Sequence, residues 1–219
     1  MIRLDIISDV ACPWCYVGKA YLDRALEAHP DHPFSIEWHP FQLNPDMPEV
    51  GMDRRAYMEA KFGGRDGAVR AYAPLVEHAE AAGVELNFDR IARQPNTLDA
   101  HRLIHWAGLE GRQTPMVSAL FRALWRDGRD LGDPEVLADL AGEVGLDRAM
   151  MRRLLDGDGD LEEIRARDTH ARTRGVNGVP CFVIANRHVV QGAQPSETWG
   201  RIIDDINRQL SEAAKGDER

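Results

Sequence analysis

Three cysteines in 219 residues, no long apolar run and no cluster of basic residues each remove a class of function. Three thiols cannot build the disulfide framework of a small secreted domain. No apolar stretch approaches the ~18 residues that would suggest a membrane span. Met1 to Asp5 passes straight into a strand pattern without a basic n-region or a long apolar h-region, so the expected compartment is the cytoplasm. The net charge of −9, without a basic stripe or aromatic-basic interleaving, argues against a nucleic-acid partner and reads as a solvated acidic surface. The length is enough to bury a sizeable core in one domain, or in a domain carrying a large insertion.

What the sequence does have is Cys12-Pro13-Trp14-Cys15, directly after the apolar run Leu4-Asp5-Ile6-Ile7 and directly before a helical pattern. The spacing brings two sulfurs together across a helix's first turn, so the pair can pass between dithiol and disulfide with little backbone movement. A thiol at a helix N-terminus faces unpaired N–H groups and the positive end of the helix dipole, which favour thiolate. Cys12 is therefore the expected nucleophile, with a pKa lowered from ~8.5 into the roughly 3.5–7.5 range of such motifs, and Cys15 the resolving thiol. Pro13 suits the first helical position and Trp14 offers an apolar surface beside the sulfur. A zinc site needs more ligands than this pair provides: the remaining cysteine is Cys181, and the histidines lack finger-like spacing. No metal is expected.

Arg3 to Ser8 reads as a buried strand, Pro13 to Ala28 as a helix and Phe34 to Trp38 as a strand of period two, which together make a βαβ unit. A right-handed crossover puts the dithiol at the carboxyl end of a parallel sheet. From Asn44 to about Arg174 helical signals follow one another: Arg54–Phe62, Ala68–Ala82, Thr97–Leu109, Pro115–Arg126, Pro134–Glu143, Asp147–Leu155 and Leu161–Thr173. Asn96 or Thr97, Asp133-Pro134 and Asp160 supply start signals. Pro180–Ala185 and His188–Gln191 read as two strands joined at Asn186-Arg187. A last helix opens at Pro195 or Ser196 and runs to about Leu210, with Ser211–Arg219 expected to fray.

This order, with Val179-Pro180 just before the third strand, resembles the DsbA-like branch of the thioredoxin superfamily, and within it the FrnE-like dithiol-disulfide oxidoreductases or isomerases. The matching runs are Ser8 to Gly18, Phe41 to Pro45, Pro95 to Arg102, Gly178-Val179-Pro180 and Gly192 to Pro195, spread over nearly the whole chain. The resemblance implies an α/β thioredoxin fold with a large all-helical domain inserted between the second and third strands. Residues 1–43 and 174–219 would form the thioredoxin-like domain and residues 44–173 the insertion. It further implies that Pro180 is cis and that Val179 offers backbone groups to an extended substrate beside Cys12, with Pro13 and Trp14 lining the same site. Substrates would be disulfide-containing proteins or small-molecule thiols, with glutathione as a candidate co-substrate, no tightly bound cofactor, and a monomer or homodimer as the working unit.

Two departures stand out. Relatives often carry a large apolar residue after the cis-proline, whereas here it is Cys181, read either as a small core hydrophobe or as a third redox thiol. The strand position that holds a buried carboxylate in thioredoxin is Ile6, with Asp5 and Asp9 as nearby substitutes. From the helical region Asn96, His101 and Arg102, and near the last helix Gln194, are candidate cleft residues; cap and packing roles are the alternative. Two further functions share this architecture. Kappa-class glutathione transferases and 2-hydroxychromene-2-carboxylate isomerases place a serine at the first dithiol position, against which Cys12 and Cys15 argue. A chaperone-like module would hold clients between the domains without thiol chemistry. Asp156-Gly157-Asp158-Gly159-Asp160 begins like a calcium loop, but Leu161 and Arg167 stand where glycine and glutamate are needed, so a turn and helix cap are expected. Gly63 to Gly67 lacks the lysine of a phosphate loop.

Overall fold

The computed structural model describes residues 1–217. Strand β1 (Ile2–Ser8) leads through the cysteine turn into helix α1 (Pro13–Ala28), which returns to strand β2 (Phe34–Pro40). β1 and β2 are parallel, with Ile2 beside Phe34 and Ser8 beside Pro40. From Leu4 onward β1 is buried without interruption, as a strand covered on both faces must be. The chain then leaves the sheet. A two-residue strand β3 (Met52–Asp53), helices α2 (Arg54–Phe62) and α3 (Arg65–Ala82), and a 3₁₀ turn (Phe88–Arg90) precede strand β4 (Arg93–Gln94), which pairs antiparallel with β3. Helices α4 (Leu98–Leu109), α5 (Gln113–Phe121), α6 (Pro134–Glu143), α7 (Arg148–Leu155) and α8 (Leu161–Thr173) complete the insertion. Strands β5 (Cys181–Ile184) and β6 (His188–Gln191) rejoin the sheet, and helix α9 (Ser196–Asp217) closes the fold. The sheet order is β2-β1-β5-β6, with β5 antiparallel to both neighbours. No helix among the described residues is long and apolar enough to cross a membrane.

Alternation along β1 splits the interior. Leu4 and Ile6 join the main core with Leu22, Phe182 and Trp199, whereas Ile7 faces a small cluster with Phe41, Ala171 and Cys181. The main core continues without a break into the helical insertion through Leu103, Phe121 and Trp125. β2 lies at the sheet's edge, where unpaired backbone groups invite foreign strands. Gln113, at the start of α5, fills that place: Trp38 N–H donates to Gln113 Oε1 at 2.9 Å, and Gln113 Nε2 donates to Trp38 O at 3.1 Å.

Several elements differ from expectation. α5 begins at Gln113 and ends in a π turn over Arg122–Arg126, where a continuous helix from Pro115 was expected. α3 starts three residues before Ala68, at Arg65. The chain beyond Leu210 does not fray: Ser211 to Asp217 continue α9, helped by Glu212, Ala213 and Ala214, which are good helix formers, while Glu218 and Arg219 lie outside the described residues. Asp160 is no cap. It sits at φ 62° with no side-chain bond to α8, and its carboxylate accepts from Trp106 Nε1 at 2.7 Å. The loop before it is gathered instead by Arg102, which is 1% exposed and donates to the carbonyls of Leu154, Gly157 and Gly159 at 2.8, 2.6 and 2.8 Å. Arg102 therefore serves the α7–α8 loop and does not face the cysteines.

Candidate active site

Cys12 occupies the N-cap of α1 in an extended conformation, with Pro13 at the first helical position and Cys15 one turn in. Two backbone bonds shape the approach: Cys12 N–H donates to Asp9 O at 3.0 Å and Cys15 N–H to Cys12 O at 3.1 Å. The buried Asp9 carboxylate holds the turn, taking Ala11 N–H on Oδ1 at 3.1 Å and Leu43 N–H on Oδ2 at 2.7 Å. From the insertion, Trp125 Nε1 donates to Val10 O at 2.9 Å. The cysteine turn is thus gripped from the strand beside it and from the helices above it.

The Val179–Pro180 peptide bond is cis, and the Cys12 thiol donates to Val179 O at 3.6 Å. Gly18 makes this approach feasible. A Cβ there would lie 3.1 Å from Pro180 Cγ and 3.4 Å from the Ala193 backbone, so a larger residue would press on the loop. All three cysteines are free and buried, Cys12 at 4% exposure and Cys15 and Cys181 at 1%. Burial drives the Cys15 thiol well above the ordinary range, and the neighbouring Cys12 adds to this. The Asp9 backbone and the Ser8 hydroxyl oppose it. Burial alone raises Cys181.

The other candidate residues divide. His101 comes to the site: it is 3% exposed and its Nε2 lies 3.6 Å from Asp9 Oδ1. Asn96 is occupied elsewhere, donating to Met47 O at 2.7 Å and accepting from Leu98 N–H at 2.9 Å across the Thr97 N-cap of α4. Gln194 donates to Gln191 O at 2.8 Å, a local contact. The Trp14 ring meets His78 of α3 edge-on at 5.3 Å. Ile6 lies in the core, and Asp5 cannot stand in for a carboxylate beside Cys15. Its Oδ1 accepts from Arg3 Nε and contacts His39 Nε2, both at 2.6 Å. Asp5, Glu37 and His39 come within metal-ligating distance of one another, but Arg3 and Arg167 also contact the group, which makes it an ion-pair network. Ser8 and His39 were not singled out by sequence. Ser8 ends an apolar strand and His39 obeys the strand alternation, so neither breaks a local pattern.

The model of the DSBA-like thioredoxin domain family matches residues 3–204. The chain is similar to the crystal structure of a probable DsbA oxidoreductase from Streptomyces coelicolor, with a TM-score of 0.83 and 33% identity over 94% of this chain and 89% of that one. The cytosolic disulfide reductase DsbM from Pseudomonas aeruginosa, solved with GSH, shares the fold at a TM-score of 0.67 and 19% identity, covering 94% and 99% of the two chains. In sequence, the uncharacterized protein YwbO from Bacillus subtilis (strain 168) is 28% identical over 213 residues, 95% of this chain and 98% of that one.

Proposed function

This chain belongs to the DsbA-like thioredoxin domain family, and from that premise we propose that it is a thiol-disulfide oxidoreductase in which Cys12 attacks and Cys15 resolves. Cys12 thiolate displaces one sulfur of a substrate disulfide, forming a mixed disulfide and releasing one substrate thiolate. Cys15 then attacks the Cys12 sulfur, releases the second substrate thiolate and leaves a Cys12–Cys15 bond, so two electrons pass to the substrate. Oxidation of a client runs the same steps backward. The observation that carries this reading is the position of Cys12 at the α1 N-cap, its sulfur 3.6 Å from the Val179 carbonyl. The Val179-Pro180 backbone beside that sulfur offers its polar groups to an extended substrate segment.

Substrates of this site are disulfides of proteins or small thiols. Glutathione suits it as a co-substrate, a reading supported by the GSH-bound DsbM relative. A serine-dependent glutathione isomerase is disfavoured, because thiols occupy both positions of the motif. Trapping tests the assignment. Cys15→Ser, oxidised with glutathione disulfide or a cystine-containing peptide, should accumulate a mixed disulfide on Cys12, and Cys12→Ser should accumulate none. Turnover by Cys12→Ser at the native rate would overturn it.

A further inference from the structure

We propose that a cavity between α1, α3 and the start of α9 seats a lysine or arginine side chain of a disulfide-bearing polypeptide, three or four residues from the substrate cysteine, an inference that rests on the dithiol reading above. The cavity measures about 360 Å³ and is lined by Tyr21 and Arg24 of α1, Glu77 and His78 of α3, and Ser196 and Glu197 of α9. That volume lies in the ~300–1,000 Å³ range of small-ligand sites. Aromatic rings join it to the cysteine pair. Trp14, inside the Cys12–Cys15 motif, meets His78 edge-on at 5.3 Å, and His78 meets Tyr21 edge-on at 6.0 Å. Pro180 and Ala193 close on the same helix at Gly18, and Ser196 Oγ donates to Tyr21 O at 2.8 Å. The stretch of α1 from Trp14 to Tyr21 is therefore flanked by His78 and by the cis-proline loop with the start of α9. At a rise of about 1.5 Å per residue, Tyr21 lies ~13 Å along α1 from Cys12, the span of about four residues of extended peptide.

The chemistry of the walls selects a cationic donor. Arg24 Nη1 donates to Ala81 O at 2.9 Å, at the carboxyl end of α3, and Arg201 Nη2 donates to Thr198 Oγ1 at 3.2 Å instead of turning to Glu197 one turn before it. Glu77 and Glu197 are exposed and have no ion-pair partner among the described residues. His78 adds an acceptor. The Tyr21 hydroxyl has one proton, and the His78 carbonyl, 3.1 Å away, can only accept it. The 3.1 Å contact between that hydroxyl and His78 Nδ1 is then made by an Nδ1–H donating to the phenol oxygen, and the neutral ring keeps its lone pair at Nε2. A guanidinium or ammonium entering here finds two carboxylates to pair with and aromatic rings to lie against. An acidic side chain meets like charge, and the net charge of −9 repels it further.

Competing peptides test the subsite. Reduced Cys15→Ser is mixed with disulfide-linked dimers of a short peptide carrying lysine, glutamine or glutamate three or four residues to either side of its cysteine. Cys12 thiolate displaces one peptide thiolate and keeps the other peptide as a mixed disulfide, whose rate of formation is read by mass spectrometry. The lysine peptide should react about tenfold faster than the glutamate peptide, the scale of two solvent-facing ion pairs. The preference should fall away when the charged residue stands about eight residues from the cysteine, beyond the reach of the cavity. Glu77→Gln combined with Glu197→Gln should level the three peptides, and Glu77→Lys combined with Glu197→Lys should favour glutamate. Equal rates with the native cavity, a lysine preference that survives in both double variants, or one that is the same at both distances and so reports net charge alone, would each overturn the subsite. Failure of Cys15→Ser to react with any of the peptides would strike the dithiol reading itself, and the subsite with it.

Discussion

Cys181 follows Pro180 directly, and its neighbours decide what it can do. It pairs with Ile7 across β1 and β5 and packs with Phe41 and Ala171, and burial raises its thiol. No charged group among the described residues offsets that burial. Cys181→Ala should therefore lower stability by ~1 kcal/mol in urea denaturation and leave dithiol exchange intact. A Cys12–Cys181 or Cys15–Cys181 bridge in non-reducing peptide maps after mild peroxide would contradict this packing role. His39 makes a different residue-scale prediction. Burial, outweighing the Asp5 hydrogen bond and the charge of Glu37, holds its pKa below the ordinary imidazole value, and Arg167 adds to the lowering. As pH falls below ~6.5 the unfolded chain takes up this proton before the folded one does, so stability is lost through that window down to the lowered folded value. His39→Gln should flatten the acid limb of a stability-against-pH curve measured by urea denaturation.

Among the elements, those with a long period were legible from sequence. β1, α1 and β2 follow their apolar spacing, and Asp133 and Asp147 cap α6 and α7 through Glu135 and Met150 N–H. Met52–Asp53 against Arg93–Gln94 is too short to carry a period, and the π turn at Arg122–Arg126, from which Trp125 reaches Val10 O, has no local sequence signal. The seal on β2 was equally hidden, because a glutamine at a helix start has no distinguishing pattern. Gln113→Ala removes the partners of both backbone groups of Trp38, a residue 3% exposed, and should cost about 1–3 kcal/mol. A urea midpoint equal to that of the unsubstituted protein would show that water satisfies these groups instead.

At the scale of the molecule, the sequence order separates sheet from insertion, but the physical contacts do not. Trp125 holds the cysteine turn, Gln113 seals β2, and one apolar core runs through both parts. Unfolding by urea should accordingly be a single transition, with tryptophan fluorescence and far-UV circular dichroism superimposing; two separated transitions would show independent domains. The cysteine pair, its helix and its opposing loop were readable because each is local in sequence. His101 was readable only as a candidate, since its link to Asp9 joins the insertion to the distant β1–α1 turn. Arg102, its neighbour in α4, has a further consequence. The run Asp156 to Asp160 has the look of a calcium loop, yet the oxygens that turn inward are the carbonyls of Leu154, Gly157 and Gly159, and the positive charge they surround is the guanidinium. The loop carries its own tethered cation. Addition of a chelator should therefore leave the far-UV circular dichroism and the urea midpoint unchanged, and a fall in either would show that an ion helps to order the loop.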